Sequence, residues 1–258
     1  MAINFHSEIN GTAYSKRVAD ENWVKLVNSI CDVKGKEVLD IGCGGGIYTK
    51  AFAEMGAARV TGFDFSAEQL LTAKKTCKDY SNIDYRQGNA LDTKLNNESY
   101  DIVLERAIIH HIKDLNLCIK EIFRVLKPGG AAIIQDRTPE DCLLKGSTSH
   151  IRGYFFEKFP DLIKKETSRR HSSEKVINEL KSEGFQKIDE MKLWEIRKSN
   201  KEANELIADL KARTGRSILH ELTDDQLEEL VHYVTKQFEG VNHTIVEKDR
   251  WTVWIAWK

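Results

Sequence analysis

VLDIGCGGGIYTKAF, residues 38–52, carries an apolar run into an acid, follows it with four glycines in five residues, and resumes in a helix-forming pattern. A strand ending at Asp40, a glycine turn and a helix opening near Ile47 aim backbone N–H groups and a helix N-terminus at whatever lies over the sheet edge. Gly42, Gly44 and Gly46 remove the Cβ atoms that would block a close approach. The dinucleotide fingerprint GxGxxG fails, because the sixth position counted from Gly42 is Ile47, and no GK[ST] follows to make a Walker loop. What remains is D-x-G-x-G-x-G, with Asp40 placed to face a cationic group. Asp64 ends the next apolar run, 24 residues on (64 minus 40), where an acid can accept hydrogen bonds from both hydroxyls of a ribose. An acid near a cation, bare backbone and an acid for a ribose together describe a nucleoside that carries an amino acid, S-adenosylmethionine.

Outward from this stretch, short apolar runs alternate with helical patterns. EVLDI (37–41), RVTGFDF (59–65), IDYRQ (83–87), YDIVL (100–104) and AAIIQD (131–136) read as strands. Between them, SAEQ (66–69) is a capping box that opens a helix with Leu70, Ala73 and Cys77 on one face. Leu115, Ile119, Ile122 and Leu126 repeat at helical spacing until KPGG (127–130) stops them. Such alternation predicts a Rossmann-like α/β fold, a mostly parallel sheet with helices on both faces. After Asp136 the rhythm changes. TPED (138–141) places a proline in a first helical turn, and GYFFEKF (153–159) and the basic KKETSRRH (164–171) follow. A helix over 172–183 leads to a strand around 187–196. Residues 200–240 interrupt with two helices, the second opened by the capping box TDDQ (223–226), and a last strand closes the chain at 243–258. With no repeat or linker, the expectation is one domain over 1–258. Its core spans about 30–137, 172–199 and 241–258, with helical cap segments at about 138–171 and 200–240.

The composition excludes several classes. The 258 residues include 39 Lys and Arg against 40 Asp and Glu, so the net charge of −1 offers no general attraction to nucleic acid or anionic membranes. No run of eighteen apolar residues and no leader pattern is present, which points to a cytoplasmic chain that does not span a membrane. Five scattered cysteines form no CxxC, which suits reduced thiols and gives no metal site.

In order along the chain, VLDIGCGGG, VTGFDFS (60–66), QGNALD (87–92), YDIVLERAIIHHI (100–112) and RVLKPGG (124–130) resemble the class I S-adenosylmethionine-dependent methyltransferases. The resemblance is to the type 11 group, which includes ubiquinone and menaquinone biosynthesis enzymes, and it covers roughly residues 38–130. It implies a seven-stranded sheet whose last strand is inserted antiparallel beside its neighbour. It also implies a site: Asp40 and the glycine loop at the methionine end, Asp64 at the ribose, Asn89 and Ala90 at the adenine edge, and the backbone around Glu105 closing the amino-acid side, with Phe65 as a further cofactor-binding residue. Asn89 stands where such enzymes often carry Asp. Tyr14 and Arg17, in an N-terminal helix, are candidates to cover the cofactor.

Methyl transfer from a sulfonium is an in-line displacement that depends on alignment and exclusion of water more than on a dedicated base. If a base serves, His111 is the first candidate and His110 the second, although a histidine here can equally pack against the next helix. Specificity is expected outside the shared motifs. Arg137, Tyr154, Phe155 and Phe156, with Arg213 and Arg216 of ARTGRS (212–217), suggest a pocket of aromatic surface and cationic forks for a small acidic or aromatic acceptor. KKETSRRH reads as a solvated helix face or as an anion site. Trp251, Trp254 and Trp257 read as core rather than an aromatic cage. The [DNS]PP[YF] loop of amino-methyltransferases acting on nucleic acid is replaced by LERA (104–107). A non-catalytic cofactor-binding or interaction module stays open, as does a monomer or a homodimer.

Overall fold

The computed structural model describes residues 18–241 and 243–258; Tyr14 and Arg17, the expected cofactor cover, lie outside them. The described chain opens with α1 (Glu21–Ile30), capped by Asp20, whose carboxylate accepts from the Asn22 N–H at 2.8 Å. Then come β1 (Glu37–Ile41), α2 (Ile47–Glu54), β2 (Arg59–Asp64), α3 (Ala67–Thr76), β3 (Ile83–Gln87), β4 (Tyr100–Arg106), a 3₁₀ turn at Ile109–His111, α4 (Leu115–Val125) and β5 (Leu126–Asp136). The remainder comprises α5 (Pro139–Cys142), α6 (Arg152–Lys158), α7 (Asp161–Thr167), α8 (Ser173–Glu183), β6 (Lys187–Asn200), α9 (Ala203–Lys211), a 3₁₀ turn at Ser217–Glu221, α10 (Asp224–Gln237) and β7 (Ile245–Trp257).

The seven strands form one sheet in the order β3-β2-β1-β4-β5-β7-β6. The pairs from β3 to β5 are parallel, and β7 runs antiparallel to β5 from Ala131↔Trp257 to Asp136↔Thr252. Strand order therefore reverses beside β1, the position at which ligands bind over the carboxyl ends of such sheets. The expected class I architecture is present.

By contacts the chain divides into two compact units, which are described separately. The first comprises the described residues up to 136 with 171–193 and 252–258. Its sheet is buried on both faces: Leu39, Ile41, Val103 and Ile134 pack under α4 and α8, while Val38, Val60, Leu104 and Ile133 pack with Trp23 and Phe52. Ser66 caps α3 by accepting from the Gln69 N–H at 3.3 Å, a contact worth about 1 kcal/mol. KPGG stops α4 as expected, but β5 already begins at Leu126. The pairing with β4 shifts register between Tyr100 and Ile102, so these residues join the strand through an irregularity.

The second unit comprises 137–170 and 194–251, and so contains the expected cap segments together with the ends of β6 and β7. Its own core is formed by Ile151, Phe155 and Phe156 of the first segment with Leu206, Leu210, Leu230, Val231 and Val234 of the second. The TDDQ box forms as read: Thr223 and Gln226 bond reciprocally, and Leu227, Leu230, Val231 and Val234 are buried on one face of α10.

Candidate functional site

Within the first unit a cavity of about 990 Å³ opens above the carboxyl ends of β1, β2 and β4. The glycine turn forms its floor. Gly42 has φ +73°, and a Cβ there would collide with the Ile108 side chain; Gly42 and Cys43 both donate to the Phe63 carbonyl, at 2.7 and 3.1 Å. Asp40, Gly42, Gly44, Asp64, Phe65, Asn89 and Ala90 all line the wall. Seven of the eleven cofactor candidates thus stand in one place.

Three candidates stand elsewhere. Gly46 lies outside the wall: it starts α2 at φ +84°, and a Cβ on it would come within 3.0 Å of Ala73 and Cys77 of α3. Its bareness serves helix packing rather than ligand approach. Glu105 points into the core, where both its oxygens lie 3.1 Å from Cys118 Sγ; the wall is made by the following Arg106, Ala107 and Ile108. Strand alternation explains the exchange, since neighbouring side chains face opposite sides. His110 is held behind the wall by Asp136, whose Oδ2 meets its Nδ1 at 2.7 Å and accepts its backbone N–H at 3.2 Å, whereas His111 lines the cavity. The two imidazoles lie 4.0 Å apart, centroid to centroid.

Electrostatics make the floor distinctive. Asp40 is buried, and its Oδ2 accepts from Thr49 Oγ1 at 2.6 Å. Burial, helped by the nearby Asp64 charge, pushes its carboxyl up to about 7, against the Thr49 hydrogen bond and the Arg106 charge, which lower it. A carboxyl in that state gains from a cation placed beside it. Asp64 accepts from the Gly44 N–H and the Ser66 N–H, each at 2.9 Å, which fixes its plane. Phe65 presents a ring that is 57% exposed, and Asn89 Oδ1 accepts from the Leu91 N–H at 3.0 Å, leaving the amide donor for another partner. Tyr48 and Arg106 also line the cavity and stack, guanidinium over ring at 4.3 Å; no spacing in the sequence signalled this pair.

The expected substrate residues have other employment. Arg213 donates to the carbonyls of Leu219 and Leu222 and to Asp224, which ties the turn after α9 to the start of α10. Arg216 is buried and forked onto Glu247 at 2.9 and 2.7 Å, with Asp209 as a further partner. Tyr154 is buried in the second unit's core, edge-on to Tyr233. These three are structural, so the reading of Arg213 and Arg216 as substrate forks is corrected. Arg137 lies over the Trp251 ring at 4.7 Å and 3.5 Å from Asp249. KKETSRRH is no solvated face at its end, because Arg169 and Arg170 close on the buried Glu166. Trp254 is core, with its indole N–H on Ser173 Oγ at 2.8 Å.

Residues 39–134 match the family described as "Methyltransferase domain". This segment is a methyltransferase domain of the type 11 group. A demethylmenaquinone methyltransferase of Tropheryma whipplei (strain Twist) is 34% identical over 116 residues, 45% of this chain and 48% of that protein. A ubiquinone biosynthesis O-methyltransferase of Pseudomonas fluorescens (strain Pf0-1) is 37% identical over 112 residues, 42% of this chain and 46% of that protein. The chain thus spans about half the length of these relatives. Among solved structures, a Haemonchus contortus phosphoethanolamine N-methyltransferase 2, in complex with phosphomonomethylethanolamine and S-adenosylhomocysteine, superposes with a TM-score of 0.63 at 20% identity. That match covers 100% of this chain and 61% of the other, and it shows a shared fold. The methyltransferase domain contains every wall residue of the cavity. No helix among the described residues is long and apolar enough to cross a membrane.

Proposed function

We propose that this chain transfers a methyl group from S-adenosylmethionine to a small-molecule acceptor. The observation that carries the reading is the buried Asp40 carboxyl at the floor of the glycine-loop cavity, which makes no ion pair among the described residues and is set beside the second acid, Asp64. S-adenosylmethionine is a cationic nucleoside, and when bound it would supply a methyl group activated on a sulfonium. Asp40 would take the positive methionine end, Gly42 and Gly44 would admit it against bare backbone, Asp64 would accept from the ribose hydroxyls, and Phe65, Asn89 and Ala90 would hold the base.

Relatives named for ubiquinone and menaquinone biosynthesis, and a fold neighbour bound to a phosphorylated amine, support a small acceptor. For a phenol or an ammonium, a proton must leave before the nucleophile attacks, and His111 in the wall is the group to receive it. Asp136 then acts at one remove by fixing the His110 ring against which His111 packs. The domain's remaining contribution is to align donor and acceptor, which in general is worth roughly 7–11 kcal/mol of barrier.

Single-turnover incubation of the full chain with methyl-labelled S-adenosylmethionine and a panel of phenols, amines and carboxylates tests this. Stoichiometric appearance of S-adenosylhomocysteine with label on one acceptor is expected. Tight cofactor binding with no transfer to any of them would contradict the enzyme reading and favour a binding module.

A further inference from the structure

The run KKETSRRH (164–171) ends at a histidine to which nothing above gives a role. His171 is the first residue of the first unit after the chain returns from the second, just as Asp136 is the last before it leaves. Both grip the same short stretch. Asp136 holds His110 by its ring and its backbone N–H, and His171 Nε2 lies 3.1 Å from the Ile109 carbonyl and 3.0 Å from the Ile112 carbonyl. A carbonyl can only accept, so the His171 hydrogen sits on Nε2 and is shared between the two oxygens.

That stretch needs holding. Residues 106–112 put Arg106, Ala107, Ile108, His111 and Ile112 into the cavity wall, yet their regular structure is a single 3₁₀ turn, Ile109–His111. The turn's own backbone supplies the His111 N–H to the Ile108 carbonyl at 2.8 Å and the Ile112 N–H to the Ile109 carbonyl at 3.0 Å. A turn this short is not stable by itself. Ala107 leads into it at φ +58°, a left-handed backbone that alanine keeps where the surrounding structure over-determines it. The Ala107 N–H donates to the Gln135 carbonyl at 2.8 Å, Asp136 fixes His110, and His171 takes the carbonyls on either side of His111. His171 itself stands outside the cavity wall, so any effect it has on chemistry passes through the turn.

We propose that His171 is a positioning residue for methyl transfer: by pinning the Ile109 and Ile112 carbonyls it sets the direction in which His111 enters the cavity. This rests on the reading of His111 as the group that receives the acceptor's proton. A reacting group displaced by about 1 Å loses on the order of a hundredfold in rate, so the anchoring of the turn is itself a determinant of turnover.

Two readouts on the full chain test it. The first needs neither cofactor nor acceptor: amide hydrogen exchange at the turn and the imidazole ¹⁵N signals of His111. His171→Phe, which fills the ring volume without a donor, should speed exchange at His111 and Ile112 by about tenfold or more and shift the His111 signals, with β1 and β5 unchanged. His171→Gln, whose amide N–H lies as many bonds from Cβ as the imidazole Nε2, should restore both. If His171→Phe does not fold, His171→Asn, with its amide too short to span the two carbonyls, takes its place with the same expectation. Unchanged exchange and signals would overturn the positioning role. The second readout is single-turnover transfer to a phenol. His171→Phe should slow it about 10–100-fold, with S-adenosylmethionine affinity within about threefold, and should cost nothing further in a His111→Asn background. Losses that add in the double variant would overturn the proposal, because His171 would then act without His111. No transfer by the parent chain would overturn the reading of His111 on which the proposal rests, a failure that the ligand-free readout does not share.

Discussion

Asp40 and Glu105 in the first unit and Glu166, Asp209 and Asp249 in the second are buried acids that shift in opposite directions. Asp40 and Glu105 of the first unit are pushed up, to about 7 and about 8, chiefly by burial. In the second unit burial acts in the same direction on Glu166, Asp209 and Asp249, but guanidiniums outweigh it. Arg152 and Arg170 hold Glu166 well below the usual carboxylate range, Arg216 and Arg197 hold Asp209 down to about 2, and Arg137 and Arg152 hold Asp249 low. In the first unit Asp40 is pushed up at the cavity floor, as suits a cationic ligand, Glu105 is pushed up in the core, and Glu121, against burial, is held down to about 2 by Arg124 and Thr93. The second uses its acids to bind arginines, and in one place arginine donors exceed what those acids satisfy. The same residue types build a receptor in one unit and a scaffold in the other.

The sharpest way to break this comparison lies in the scaffold. Arg216→Met strips Glu247 and Asp209 of their principal donor and should destabilise the protein by about 3–5 kcal/mol, read by urea unfolding. Arg152→Met removes a guanidinium with longer contacts, but one that helps hold Glu166 and Asp249 low, and should cost about 1–3 kcal/mol, less than Arg216→Met. Equal losses would mean that the two arginine groups are energetically alike. Next in size, Asp64→Asn should weaken S-adenosylhomocysteine binding about 10–100-fold where the variant is folded, and lower the Tm of the ligand-free protein, because the amide nitrogen would face one of two backbone N–H donors. Gly46→Ala should act the other way. The left-handed backbone and the approach to Ala73 should cost about 1–2 kcal/mol of stability, while ligand affinity, measured where the variant is folded, stays within about threefold.

The most gradual effect comes from pH. Glu105 titrates near 4.5 when unfolded and about 8 when folded, so between these values the native state holds a proton that the unfolded chain has released, and stability falls as pH rises through the window. Asp40 contributes in the same sense up to about 7. Glu105→Gln should match the parent near pH 5 and gain on it by at most about 1 kcal/mol per pH unit up to pH 8. A constant difference across that range would contradict a buried, protonated Glu105.

The legible parts of this molecule are those whose signal is local. The glycine turn, the strand-terminal acids Asp40 and Asp64, and the caps at Ser66 and Thr223 each sit within a few residues of what they act on. The expected backbone around Glu105 does border the cavity, through Arg106, Ala107 and Ile108, while the Glu105 side chain points into the core. Gly46 was misassigned because its neighbours, Ala73 and Cys77, are brought to it by the packing of α3 on α2. Arg213 and Arg216 looked like open forks because their acceptors are invisible locally: Glu247 is 31 residues from Arg216, and the others are backbone carbonyls and a helix-start acid. Apart from Glu166 with Arg169 and Arg170, at i,i+3 and i,i+4 spacing, the cap's buried ion pairs arise from tertiary placement.

The central claim is that the Asp40–Asp64 cavity receives a cationic nucleoside. Calorimetric titration of S-adenosylmethionine into the full chain at pH 6 and pH 8, with NAD as the comparison ligand, tests it most directly. The account predicts one site, with tighter binding at pH 8, where Asp40 is ionised without the ligand's help, and no heat from NAD. Binding of NAD in preference, or S-adenosylmethionine affinity that falls between pH 6 and pH 8, would contradict it.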